Sequence, residues 1–278
     1  MARIRVVTDS ASDLPHDIAQ RLDIDVVPLT IRFGDEEFTD LSPEDFWAKC
    51  KVSKTLPETS APSPGAFQGA YERAKAAGYD GVIVLTISSL LSATHQAAVL
   101  GAEAVASEID VRVVDTLNVS MGEGLIVIDV AEAAKDGATL EDLVARSSEL
   151  LKKIGVVATL DTLEHLIKGG RIGGAKAFLG QVLAIKPMID VKAGVVAEAG
   201  RQRTRAKALA AVAQVARNHA PLRRLALIQG ASSDADVATL VSLVSDIPTQ
   251  FPLIVADIGP VVGTHAGPGI IGLTWIEE

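Results

Sequence analysis

The sequence lacks the features on which disulfide-rich, metal-cluster and membrane proteins depend. Its 278 residues include one cysteine, Cys50, which excludes an internal disulfide and a cysteine-based metal cluster. No uncharged apolar run reaches the roughly 18 residues that a membrane-spanning helix needs, and the first residues contain no apolar stretch of signal-peptide length. These absences predict a soluble, cytoplasmic protein.

Aromatic residues and positive charge are also scarce. Phe, Trp and Tyr make up 4% of the chain, and 35 acidic residues outnumber 26 basic ones, for a net charge of -9. Proteins that bind nucleic acids or anionic membranes need clustered Lys and Arg, so this balance predicts no nucleic-acid partner. Apolar residues make up 48% of the chain, and we therefore expect a large core of Ala, Val, Ile and Leu.

In the first half of the chain, short β-branched segments alternate with segments of helical periodicity. The β-branched segments predict strands at residues 4–8, 25–33, 81–86 and 111–115. Helices are predicted to begin after the capping residues Ser42, Ser63, Ser120 and Thr139. Strands that alternate with helices indicate parallel βαβ units, so we expect a parallel sheet in this half.

The second half changes character and predicts a mixed sheet. Residues 186–190 and 195–199, joined through Gly194, predict an antiparallel hairpin. Further strands are predicted at 225–229, 254–258 and 270–275, and helices at 175–183, 205–219 and 234–244. We therefore predict an α/β fold of two α/β domains, at residues 1–160 and 161–278.

Hydroxyl side chains cluster where predicted strands end or predicted helices begin. The three clusters are Thr8, Ser10 and Ser12; Thr59, Ser60 and Ser63; and Ser88, Ser89, Ser92 and Thr94. Ligands of open parallel sheets bind beyond the carboxyl ends of the strands, where hydroxyls suit a carboxylate or a phosphate. Each hydroxyl alone is also typical of a helix cap. Because three clusters converge, the sequence predicts a binding site for a small anion.

Three other features each allow two interpretations. The glycine cluster at 169–174, which holds Arg171, is either a phosphate-binding loop or a tight turn, and it lacks the spacing of a nucleotide-binding motif. The three arginines within residues 201–205 form either a docking patch or a solvated strand edge. His265, in a loop of glycine and proline, is either a binding residue or a polar turn residue. The five histidines are not spaced as metal ligands.

Nine motifs, in order along essentially the whole chain, resemble the signature of the DegV family. They are TDSASDL at 8–14, TSAPSP at 59–64, SSLLSAT at 88–94, VDT at 114–116, SMGEG at 120–124, KGGRI at 168–172, KP at 186–187, RTR at 203–205 and HAGPG at 265–269. The sequence departs from the usual family pattern at Ala61, Ala93 and His95, where glutamine, glycine and tyrosine are common.

The resemblance implies a bacterial fatty-acid-binding protein with its ligand between two α/β domains. It implies that Ser60 and Ser92 bind the carboxylate of a long-chain fatty acid such as palmitate or oleate, with Thr59 and His265 close by. Arg171 and Arg201 would face a kinase partner or the incoming phosphate.

In that family the kinase is a separate subunit of fatty acid kinase, which binds ATP and magnesium itself and phosphorylates the carboxylate. The acyl phosphate then enters phospholipid synthesis. The resemblance therefore implies a lipid-binding subunit that is not itself an enzyme and has no metal or cofactor. It also implies transient contact with a membrane or an acyltransferase.

Two alternatives remain open at the level of sequence. The hydroxyl clusters and glycines also fit a phosphotransferase subunit that acts on a small hydroxylated substrate. A protein that binds partners and no small ligand is the other alternative. The first predicts a polar cavity, and the second predicts a filled junction between the domains.

Overall fold

The computed structural model describes residues 3–178 and 185–278. Within these residues the strands are β1 Ile4–Asp9, β2 Ile24–Val27, β3 Thr30–Phe33, β4 Glu36–Phe38, β5 Glu58–Ser60, β6 Gly81–Thr86, β7 Asp110–Asp115, β8 Ile154–Thr159, β9 Lys186–Lys192, β10 Val195–Gln202, β11 Leu222–Gly230, β12 Ile254–Asp257 and β13 Ile270–Glu277. The helices are α1 His16–Leu22, α2 Pro43–Val52, α3 Pro64–Ala76, α4 Thr94–Ala104, α5 Met121–Lys135, α6 Leu140–Leu150, α7 Glu164–Lys168, α8 Arg205–Arg217, α9 Asp234–Val244 and α10 Pro260–Ala266.

The first half contains a four-stranded parallel sheet in the order β2-β1-β6-β7. Every residue of β6 is buried, as expected for a central strand of a parallel sheet covered on both faces. Phe67 and Tyr71 of α3 pack on one face with Val82 and Val84. The predicted parallel sheet is therefore confirmed.

The second half contains a six-stranded mixed sheet in the order β10-β9-β8-β13-β11-β12. Its β11–β12 pair is parallel and its other pairs are antiparallel. Helices α8 and α9 pack on one face, around Leu209 and Leu240. The other face meets α5, which also contacts β1 of the parallel sheet. Residues 121–131 of α5 are all buried, as expected for a helix between two sheets.

A small third sheet, β4-β3-β5, corrects one prediction. Residues 25–33 do not form one strand, because β2 pairs in the parallel sheet and β3 pairs in the small sheet. Pro28 stands between them and has no N–H to donate to a ladder, so the strand ends there. Strands β4 and β5 were not predicted, since each is three residues long and holds a glutamate.

The other predicted elements agree with the structure to within a few residues. The hairpin of β9 and β10 is confirmed, and its turn residues Ala193 and Gly194 both have positive φ, as a tight hairpin turn requires. The predicted helix at 175–183 begins within a 3-10 helix, Gly173–Phe178, and its remainder lies outside the described residues. Strand β8 pairs in the six-stranded sheet, and the division into domains at residue 160 stays a prediction. No helix in the described ranges has the length and apolar character needed to span a bilayer.

Candidate ligand-binding site

A cavity of about 200 Å³ lies between the six-stranded sheet, the small sheet and the loops that follow β6 and β7. Ala158 of β8 pairs with Ile189 of β9, and both line the cavity, as do the cross-strand partners Val191 and Val196. Leu91 lines it from the loop after β6. Among the described lining residues most are aliphatic, and none is Phe, Tyr or Trp. Such walls suit a flexible hydrocarbon chain and offer no ring on which a base or sugar could stack.

Four polar side chains, those of Thr59, Ser92, Arg171 and His265, lie on the cavity wall. The Oγ1 atom of Thr59 and the Nε2 atom of His265 are hydrogen bonded at 2.8 Å. Arg171 lies near His265, and its Nε atom donates to the carbonyl of Leu91, which precedes Ser92. The hydroxyl of Ser92 is hydrogen bonded to that of Thr94 at 2.8 Å. The hydroxyls of Thr59 and Ser92 can bind a carboxylate next to the guanidinium charge of Arg171, and the imidazole of His265 orients the Thr59 hydroxyl.

The imidazole of His265 is neutral at physiological pH. Burial, followed by the positive charge of Arg171 and the neighbouring His165, lowers the pKa of His265 to about 4. Its Nδ1 atom is buried without a hydrogen-bond partner in the described structure and lies against the backbone of Gly169. The ring is therefore a neutral hydrogen-bonding group, and the positive charge at this site comes from Arg171.

The glycine cluster at 169–174 packs so closely against the site that side chains would collide with it at some positions. A Cβ atom at Gly169 would lie 2.2 Å from His265 Nδ1, and at Gly173 it would lie 2.3 Å from the carbonyl oxygen of Val196. Gly170 has a φ of +72°, which favours glycine. Of the two interpretations of the cluster, a phosphate-binding loop or a tight turn, the tight turn explains the glycines at these positions.

Gly169→Ala is expected to displace the His265 ring and break its hydrogen bond to Thr59. The backbone of Gly169 has a helical conformation, so the added methyl group acts through the collision alone. We expect an altered side-chain ¹⁵N resonance for His265 and a loss of about 1–3 kcal/mol in the free energy of unfolding. NMR and chemical denaturation measure the two effects. Gly65→Ala on α3, where the methyl group has room, is the control; unchanged His265 resonances in Gly169→Ala would contradict this packing.

The three hydroxyl clusters do not all lie at the cavity. The first does not line the cavity: Thr8 donates to Glu123, Ser12 donates to the carbonyl of Asp9, and Ser10 accepts from the N–H of Leu29. The prediction that three clusters converge on one anion is therefore wrong for this cluster. Its side chains satisfy polar groups of the fold instead.

The other two clusters contribute one predicted residue each to the cavity wall. Thr59 lines the cavity, whereas Ser60 is exposed on the other side of β5 and Ser63 caps α3. Ser92 also lines it, whereas Ser88 donates to the carbonyl of Gly194 at 2.7 Å and ties the loop to the hairpin.

Of the remaining predicted residues, the structure brings His265 and Arg171 to the cavity wall. Arg201 lies on β10, is exposed, and does not line the cavity. The departures Ala61 and Ala93 both line the cavity, next to Thr59 and Ser92. Ser120 lines the wall as well. Sequence reasoning missed this role, because neither a helix start nor the SMGEG motif indicates a contact with the ligand.

Three carboxyl groups, those of Asp9, Asp13 and Glu123, are buried near the carboxyl end of β1. Asp9 accepts hydrogen bonds from backbone N–H groups, including that of Ile87, and Glu123 accepts one from Thr8 at 2.9 Å. Burial raises the pKa of Asp9 and of Asp13 to about 7. It raises the pKa of Glu123 well above its usual range, and the nearby charge of Asp9 adds to this. Glu123 therefore keeps its proton to a higher pH than an exposed glutamate does.

These carboxyl groups are expected to make the folded protein less stable as the pH rises. An acid whose pKa is raised on folding binds a proton that the unfolded chain releases, from about pH 4 up to its folded pKa. Glu123→Gln keeps a neutral group at every pH. Its free energy of unfolding relative to wild type should therefore increase with pH, by up to about 1.4 kcal/mol per pH unit.

Chemical denaturation of both proteins at pH 5 and pH 8 measures this difference. The lowered pKa of His265 acts in the opposite direction, but it is present in both proteins and cancels in the comparison. Glu103→Gln, on the exposed face of α4, is the matched control and should show no such trend. A difference between wild type and Glu123→Gln that does not change with pH would mean that Glu123 is ionised in the fold.

The fold and the site together define a class of protein. It is an α/β protein of two large sheets and one small sheet that encloses an aliphatic cavity with hydroxyl, imidazole and guanidinium groups on its wall. The chain belongs to the DegV family, since the model described as "Uncharacterised protein, DegV family" matches residues 3–278. The family resemblance seen in the sequence is thereby confirmed.

Relatives in sequence and in structure span the whole chain. A DegV domain-containing protein from Streptomyces coelicolor is 34% identical over 276 residues, which cover 97% of each chain. A Thermus thermophilus DegV-family protein solved for its fatty acid binding superposes with a TM-score of 0.91, at 35% identity over 99% of this chain and 100% of that one. A stearic-acid-binding protein from Eubacterium ventriosum has a TM-score of 0.88, at 25% identity over 100% and 98% of the two chains.

Proposed function

We propose that this protein binds one long-chain fatty acid, such as palmitate or oleate, in the cavity between its sheets. The observation that carries the proposal is an aliphatic cavity whose wall also holds the polar side chains of Thr59, Ser92, His265 and Arg171. Fatty acid binding by the Thermus and Eubacterium relatives supports it. In this proposal the carboxylate binds the hydroxyls of Thr59 and Ser92 beside His265, whereas Ser60, on the opposite side of β5, points away from it.

The free energy of binding would come mainly from the walls. Burial of about 14 methylenes contributes roughly 11 kcal/mol, at about 0.8 kcal/mol each. Association and ordering of the chain cost several kcal/mol, which leaves micromolar or tighter affinity. Hydrogen bonds to the carboxylate add about 1.5–3 kcal/mol each. The walls therefore determine affinity, and the polar group determines where the carboxylate lies.

The protein presents the bound carboxylate to a kinase subunit of a fatty acid kinase. The γ-phosphoryl group of ATP is transferred to a carboxylate oxygen, the bond between the β- and γ-phosphates breaks, and ADP leaves. The kinase supplies ATP and magnesium, so the protein itself is a binding subunit with no catalysis of its own. Arg171, next to the carboxylate group, and the exposed Arg201 would face the kinase or the transferred phosphate. The product is an acyl phosphate for phospholipid synthesis.

Titration of the delipidated protein with saturated fatty acids of increasing length tests the binding proposal. We expect one site, with affinity that rises about fourfold per added methylene until the cavity is filled. Such a slope arises only if the chain is buried against apolar walls. An affinity that does not depend on chain length, or no binding at all, would contradict the proposal and favour a ligand that is small and polar.

A further inference from the structure

Asp13 joins three parts of the molecule that are far apart in sequence. Its Oδ1 atom accepts a hydrogen bond from the backbone N–H of Gly259 at 2.9 Å. Its Oδ2 atom accepts one from the hydroxyl of Ser120 at 2.5 Å. Asp13 follows the 3-10 turn Ser10–Ser12 and is buried. One side chain thus links the loop after β1, the start of α5 and the segment that leads into α10.

Both side chains of this contact stand on strained backbone. Asp13 has a φ of 50° and a ψ of 32°, in the left-handed region. Ser120 has a φ of 56° and a ψ of −148°, close to a region that is populated almost only by glycine. Non-glycine residues persist in such conformations where the surrounding structure holds them, and they concentrate at functional sites. These two backbone conformations place the Asp13 carboxylate and the Ser120 hydroxyl within hydrogen-bond distance of each other.

The third partner, Gly259, stands directly before α10. It is the N-cap of this helix and has no side chain to cap it. A Cβ atom at Gly259 would lie 3.0 Å from Asp13 Oδ1, so glycine allows the carboxylate to approach the backbone. Asp13 therefore holds the start of α10 from a segment 246 residues earlier in the chain.

Helix α10 carries much of the proposed carboxylate site. Val261 and Val262 line the cavity near its start, and His265 lies at its end, hydrogen bonded to Thr59. The helix is thus held at its first turn by Asp13 and at its last turn by the Thr59–His265 hydrogen bond. A shift of its start would move the imidazole relative to Thr59, because seven helical residues move as a unit.

We propose that Asp13, supported by Ser120, is a positioning residue that fixes α10 and thereby the place of His265 at the carboxylate of the ligand. Asp13 does not line the cavity and acts through Gly259 and the helix. The inference deepens the proposed function and, as far as the ligand is concerned, rests on it.

The test compares three variants of the full chain. Asp13→Ala removes both hydrogen bonds. Asp13→Asn keeps them, because the amide oxygen accepts from Gly259 and the amide nitrogen donates to the Ser120 oxygen. Ser120→Gly removes the hydroxyl and relieves the positive φ, so its thermal stability should equal or exceed that of wild type. Asp17→Ala, exposed on α1, is the matched control for loss of a nearby carboxylate.

Two quantities are measured beside the unfolding temperature. They are the dissociation rate of palmitate and the side-chain ¹⁵N resonances of His265 in the ligand-free protein. We expect Asp13→Ala to speed dissociation at least tenfold and to shift the resonances, and Asp13→Asn to stay within about twofold of wild type. Ser120→Gly should shift the His265 resonances of the ligand-free protein although it is not less stable; its dissociation rate is not compared, because Ser120 also lines the cavity. Asp17→Ala should match wild type.

A purely structural role for Asp13 would give a different pattern. Dissociation would then follow thermal stability in the Asp13 variants, and Ser120→Gly would leave the His265 resonances of the ligand-free protein unchanged. That result, or unchanged His265 resonances in a folded Asp13→Ala protein, overturns the proposal. If wild type binds no palmitate, the proposed function fails separately, and the His265 resonances of the ligand-free variants still decide whether Asp13 positions the helix.

Discussion

Ala158→Phe is expected to abolish tight fatty acid binding while the protein still folds. Ala158 lies on β8, lines the cavity and pairs with Ile189, another lining residue. A phenyl ring there would occupy the space of several methylenes, each of which contributes about 0.8 kcal/mol to binding. We expect palmitate affinity to fall at least about a hundredfold. Titration calorimetry measures the affinity, and thermal unfolding reports on the fold.

Two further variants make this result specific. Ala158→Val adds less volume and should shorten the longest acyl chain that binds well, without abolishing binding. Ala76→Phe places the same ring on the exposed side of α3 and should bind palmitate as wild type does. If Ala158→Phe is folded and retains wild-type affinity, the acyl chain does not lie in this cavity.

Ser92→Ala is expected to separate binding of the fatty acid from its phosphorylation. The apolar walls still hold the chain, so loss of one hydrogen bond should raise the dissociation constant of palmitate by tenfold or less. The carboxylate is then misplaced with respect to the incoming phosphoryl group, and misplacement by about 1 Å can cost a hundredfold in rate. We expect acyl-phosphate formation with a kinase subunit, ATP and magnesium to fall by about that factor.

Two further variants, one at Ser89 on the loop that holds Ser92 and one at Arg201 on β10, make this result specific. Ser89→Ala, three residues earlier and exposed, should change neither quantity. Arg201→Ala, outside the cavity, should lower the rate of phosphorylation and leave the dissociation of palmitate unchanged. If Ser92→Ala loses palmitate and phosphorylation in the same proportion, Ser92 contributes to affinity alone and does not orient the carboxylate.

Long apolar strands and capped helices were predictable because each has a local physical cause. Strand β6 is buried on both faces and reads as an unbroken apolar run, and α6 begins at the Thr139–Asp142 capping box that the sequence predicts. Strands β4 and β5 could not be predicted, because three residues are too few to show a period. The break at Pro28 was visible, but the sequence did not show that β3 joins another sheet.

The polar group of the site was only partly predictable, for reasons of register and distance. Neighbouring residues of a strand point to opposite sides, so Thr59 and Ser60 cannot both face the cavity, and which one does depends on the pairing of β5 with β3. The glycine-rich surroundings of Arg171 and His265 left two interpretations open, and the family resemblance predicted both residues at the site. The contact of Asp13 with Gly259 joins residues 246 positions apart and has no local signal in the sequence.

Denaturing mass spectrometry of the organic extract from the purified protein tests the central claim most directly. The account predicts about one equivalent of a fatty acid of roughly 14 to 18 carbons, since aliphatic walls retain a chain through purification. Delipidated protein should regain one equivalent on incubation with palmitate. An extract that holds no fatty acid, together with no uptake of palmitate by the folded protein, would contradict the account.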